Sequence, residues 1–115
     1  MLSIEKLNEY GADIKTGVER CMGSEDFYLQ MVKMIPQEPN FIHLNEAIAR
    51  NDLKGAFEAA HALKGVAGNL SLSPLFAVVS EITELLRAGT EMDYTEYLRA
   101  INQQKELLEK LIREE

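Results

Sequence analysis

The chain has 115 residues, a length that suits one domain with one hydrophobic core, and its 46% apolar and 27% charged residues favour folding over disorder. A formal net charge of −7 argues against nucleic acid or an anionic membrane as the main partner. The single cysteine, Cys21, leaves no intrachain disulfide and no cysteine-based metal cage, and is expected as a small buried hydrophobe.

No apolar run approaches the roughly 20 residues of a membrane-spanning helix. Met1-Leu2-Ser3-Ile4-Glu5-Lys6 lacks the basic and then apolar regions of a signal peptide. A complete chain of this kind is expected in the cytoplasm.

Strand patterns are nearly absent, and helical spacing recurs from end to end. A short helix is expected from Ser3 to about Tyr10, closed by Gly11. Asp13 to Met22 places Ile14, Val18 and Cys21 on one face and stops at Gly23-Ser24. Ser24 can cap the next helix, in which Phe27, Tyr28, Met31 and Ile35 repeat at helical spacing before Pro36 and Pro39 end it. Met22, Met31 and Met34 are expected in the core, and His43 as an ordinary surface or hydrogen-bonded histidine.

Four longer helices follow. Phe41 to Arg50 presents Phe41, Leu44 and Ile48, and Asp52 is placed to cap a central helix over Leu53 to Leu70. Ser73-Pro74 reads as a helix start with serine as cap and proline in the first turn. That helix carries Leu75, Val78, Val79, Ile82, Leu85 and Leu86 and closes at Gly89. Asp93 and Glu96 stand at capping-box spacing before the last helix. Short connections make successive helices antiparallel, so an all-α, up-down-up-down four-helix bundle is expected over about 40–114. Additional N-terminal helices over about 3–36 pack on it.

The central helix breaks two local rules in one place. Gly65 and Gly68 each cost about 1 kcal/mol relative to alanine in a helix interior, with no turn to excuse them. Leu53, Ala56, Ala60, Leu63, Ala67 and Leu70 define the buried stripe. His61 points roughly 130° from the middle of that stripe, into solvent. Phe57, Glu58, Lys54, Lys64, Gly65 and Gly68 surround it by helical adjacency. A neutral imidazole is a good nucleophile. Lys64, one turn on, can neutralise phosphoryl oxygens, and the glycines leave clearance for a partner's backbone. The pattern suits a docking site at which a phosphoryl group is carried.

His61-Ala62-Leu63-Lys64-Gly65, continued by Ala67-Gly68-Asn69-Leu70, resembles the signature of histidine-containing phosphotransfer (HPt) domains. The resemblance implies a helical bundle whose exposed histidine exchanges a phosphoryl group with the aspartate of a receiver domain, in a response regulator or a hybrid sensor kinase. It implies a monomeric carrier rather than an enzyme, with no cofactor of its own and Mg2+ on the receiver. Many HPt domains place glutamine or another polar residue on the next helix, facing the histidine. Thr83 is expected at that position here, and Arg87 is expected near the partner.

Two other readings compete. Glu58-Ala59-Ala60-His61 has the Glu-x-x-His spacing of di-iron bundles, but no second copy of it occurs. A plain helical interaction module would leave His61 as a surface residue without chemistry. Phosphate on His61 separates that reading from the carrier, and bound iron would identify the metal bundle.

Overall fold

The computed structural model describes residues 1–113, so residue 114, the last of the expected bundle, lies outside them. Seven α-helices and one 3-10 turn make up the described residues: α1 Ile4–Tyr10, α2 Ile14–Arg20, α3 Glu25–Lys33, the turn Ile35–Gln37, α4 Asn40–Ala49, α5 Leu53–Asn69, α6 Ser73–Arg87 and α7 Thr95–Arg113. No strand occurs among them, and the fold is an all-α bundle.

Capping side chains set most of the starts. Ser3 Oγ accepts from the Lys6 N–H at 3.2 Å, Asp13 Oδ1 from Thr16 at 3.3 Å, and Ser24 Oγ from Phe27 at 3.1 Å. Asp52 Oδ1 accepts from the Gly55 N–H at 2.9 Å, fixing the beginning of α5. Each such cap is worth about 1 kcal/mol. Gly11, with φ of 111°, ends α1 in the left-handed conformation that costs glycine little.

Two starts differ from expectation. Ser73 is already the first helical residue of α6 and makes no side-chain cap, with Pro74 beside it in the first turn. Asp93 does not begin a capping box around α7. Its carboxylate accepts from the N–H and hydroxyl of Thr95, which holds it below the usual carboxylate range, while Glu96 pairs with Arg99.

The helices pack as the apolar stripes require. Ala56, Ala60, Leu63 and Ala67 of α5 are buried together with Phe41 and Leu44 of α4, Leu75, Val79, Ile82 and Leu86 of α6, and Ile101 and Leu108 of α7. Small alanines along α5 let its neighbours approach closely, and α4 and α6 lie on either side of it. Contacts at Gly68–Phe76, Lys64–Glu84 and Phe57–Arg87 run in opposite chain directions, so α5 and α6 are antiparallel.

The N-terminal helices close over the corner between α5 and α6. Tyr28 of α3 is fully buried, and its hydroxyl donates to the Leu70 carbonyl at 2.8 Å. The Asp13 N–H donates to the Ser71 carbonyl at 2.9 Å. Farther out, the Tyr10 hydroxyl donates to Gln104 Oε1 of α7 at 2.8 Å. Cys21 is buried, as a small hydrophobe should be. Two methionines expected in the core are not there. Met22 is 86% exposed, on a turn where its own φ is 58°, and Met34 is 61% exposed at the end of α3. Among the described residues, no helix is long and apolar enough to cross a membrane.

Candidate functional site

His61 sits in the middle of α5, on the face turned away from the buried stripe, and is exposed. Its imidazole stacks on the ring of Phe57 one turn earlier, with centroids 5.6 Å apart and planes 18° from parallel. The guanidinium of Arg87, from α6, lies 4.9 Å from the Phe57 centroid. Arg87 Nε is 3.3 Å from Glu84 Oε1, and Glu84 Oε2 is 3.8 Å from Lys64 Nζ. Lys64, Glu84, Arg87, Phe57 and His61 therefore form one connected run of contacts across α5 and α6. These ion pairs are solvated, and exposed pairs contribute only about 0–1 kcal/mol to stability. Their effect is on placement: Phe57 supports one side of the imidazole, and Lys64 is held one turn away.

Beyond His61 the surface opens. A Cβ added at Gly65 would meet no heavy atom within 4 Å. A groove of about 270 Å³ lies there, where Asn69, Phe76 and Arg20 join His61, Lys64 and Gly65. An exposed imidazole beside a lysine and an open groove can attack an electrophilic phosphorus and shelter the charge that arrives.

One expectation about this face needs correction. Thr83 is completely buried, and its hydroxyl donates to the Val79 carbonyl one turn back, so it offers nothing to His61 or to a partner. The next residue, Glu84, is the one at the surface, paired to Lys64. Successive helical residues point about 100° apart, so an error of one position moves a side chain from the surface to the core. Gly68 lines the groove too, but unlike Gly65 it is flanked by a packed ring. Its missing side chain accommodates the Phe76 ring, whose Cε1 would lie 3.1 Å from an added Cβ. Lys54 and Glu58 are exposed on the turns of α5 before His61, outside the groove. Glu58 and His61 belong to no cluster of three or more His, Cys, Asp or Glu side chains among the described residues.

Arg20, Phe76 and Glu84 are site neighbours that the linear sequence does not announce. Glu84 follows from the antiparallel register of α5 and α6 once Lys64 is located. Arg20 carries no local signal, because it arrives from α2 through tertiary packing alone.

A family model described as Hpt domain matches residues 40–114, which span α4 to α7 and include His61. The chain belongs to the Hpt domain family. Hpt domains are helical carriers of phosphoryl groups in phosphorelay signalling, and they work with receiver domains of two-component systems. No curated protein matches this Hpt domain, and no solved structure matches it either. The matched residues exclude α1, α2 and α3, so the family match begins after the layer that contributes Arg20.

Proposed function

We propose that His61 is the phosphoryl acceptor and donor of this Hpt domain, exchanging the group with the aspartates of receiver domains in response regulators or hybrid sensor kinases. One observation carries the reading: an exposed imidazole stands one turn from Gly65, over which there is open space. In the forward step, a lone pair on the imidazole forms an N–P bond. The acyl P–O bond of the phosphoaspartate breaks, and its electrons return to the aspartate carboxylate. Lys64 meets the phosphoryl oxygens as they move onto the histidine, leaving Glu84 to do so. Phe57 and Arg87 keep the imidazole presented.

The receiver supplies the acidic residues and the Mg2+ that neutralise charge in phosphoryl transfer. The Hpt chain supplies the nucleophile, one cation and the clearance, and so turns over nothing by itself. A monomer acting in the cytoplasm suffices for this role.

The test is incubation with a receiver phosphorylated with labelled phosphate. The parent chain should take up acid-labile, alkali-stable label, and His61→Gln should take up none. Helical content and melting temperature of the variant should stay close to the parent, since surface substitutions usually shift stability by less than about 0.5 kcal/mol. Label accepted by the folded variant would contradict the assignment.

A further inference from the structure

Arg20 closes α2, outside the residues matched by the family. Its Nη1 donates to the backbone carbonyl of Gly68 on the last turn of α5, so the guanidinium bridges from the N-terminal layer to the helix that carries His61. A cation is favoured there by the negative end of the helix. That bond uses one of the five N–H donors of an arginine. The side chain lines the same groove as His61, Lys64 and Gly65.

Two other cations near His61 are already engaged. Lys64 pairs with Glu84, and Arg87 pairs with Glu84 while lying over Phe57. The Lys64–Glu84 and Arg87–Glu84 pairs share one carboxylate, and Arg20 takes part in neither. A guanidinium is thus fixed at the rim of the groove, with Asp13 lining the cavity on its other side, in a chain whose net charge is −7. Fixed guanidinium groups with N–H donors to spare suit carboxylates and phosphoryl groups, which they meet with paired donors.

We propose that Arg20 is a docking residue for the receiver, contacting the acidic, phosphoryl-bearing mouth of its active site as that mouth closes over His61. The N-terminal helical layer then belongs to the interface as well as to the core. This inference rests on the reading of His61 given above.

The experiment uses the full chain with Arg20→Ala and Arg20→Lys and two phosphodonors. One donor is a phosphorylated receiver. The other is phosphoramidate, whose P–N bond breaks as the His61 N–P bond forms and ammonia leaves, with no protein docking. Arg20→Ala should raise KM for the receiver about threefold to tenfold, move kcat less, and flatten the salt dependence of transfer. Arg20→Lys should recover part of the KM loss, and phosphoramidate should still label Arg20→Ala on His61. Unchanged receiver KM and salt dependence in Arg20→Ala would overturn the docking role and leave the role of His61 intact. Loss of label from both donors together with a lower melting temperature would make Arg20 a clamp on α5 and overturn it too. A parent labelled by phosphoramidate but by no receiver would overturn the receiver reading, and this proposal with it.

Discussion

At Gly17, on α2, an added Cβ would lie 2.6 Å from Tyr28 Cε1 and 3.1 Å from the Leu70 carbonyl oxygen, whereas at Gly65, on α5, it would meet nothing within 4 Å. Both residues carry the helix cost of glycine, about 1 kcal/mol relative to alanine. At Gly17 the cost is offset inside the molecule. The missing side chain lets the Tyr28 ring lie against α2 and its hydroxyl reach the end of α5. At Gly65 no contact within the chain offsets it. A glycine explained by its neighbours marks a packing seam, and a glycine with no neighbour on an exposed face beside His61 marks a place kept free for another molecule.

The largest effect should come from filling the seam. Gly17→Ala forces the Tyr28 ring and the Leu70 backbone to move, and overpacking of this kind costs about 1–3 kcal/mol. Thermal denaturation should show a clear drop in melting temperature. An unchanged melting temperature would mean that the seam yields freely and that Gly17 is no different from Gly65.

Tyr28→Phe tests the same seam from the other side. It leaves the Leu70 carbonyl without the phenol donor, at a cost of about 1–2 kcal/mol in chemical denaturation. The seam should also be sensitive to alkali. Burial pushes the Tyr28 phenol up from 10.0 to about 12. The raised value favours the neutral form in the folded state, so its contribution is complete below pH 10 and is lost as pH rises toward about 12. Parent stability should fall across that window, and Tyr28→Phe should fall less. Parallel pH profiles would show that the phenol titrates alike in folded and unfolded chains.

At the open face the sign reverses. Gly65→Ala should raise stability by roughly 0.4–1 kcal/mol, because the new methyl meets nothing and the unfolded chain loses freedom. A loss of stability in the same denaturation experiment would place Gly65 in a seam of its own.

The helix set was legible because its determinants are local. Ser24 and Asp52 cap the N–H groups three residues on, as a reading of short stretches anticipates, and Ser3 and Asp13, at the expected helix starts, do the same. Ser73 and Asp93 have the same chemistry, but Ser73 lies inside its helix and Asp93 is drawn to Thr95, choices that depend on how the preceding loop arrives. The exposure of His61 followed from helical phase within one helix. Thr83 was misplaced because its facing depends on register between two helices, where one residue is about 100°. Gly68 lines the groove with Gly65, but the Phe76 ring from α6 beside it is a tertiary neighbour that spacing along α5 does not encode. Met22 and Met34 were assigned to the core by residue type, whereas the turn between α2 and α3 and the end of α3 leave them in solvent. Arg20 depends on the N-terminal layer folding over α5, and no spacing along the chain encodes that.

The most direct test of the open face pairs a melting curve with a transfer rate on Gly65→Gln. The larger side chain has room in the free domain, so it should melt no lower than the parent. It would also occupy the space a receiver needs to bring its aspartate to His61, so phosphoryl transfer from the receiver should be much slower. A lower melting temperature with transfer at the parent rate would contradict the account, because Gly65 would then serve packing and the receiver would dock elsewhere.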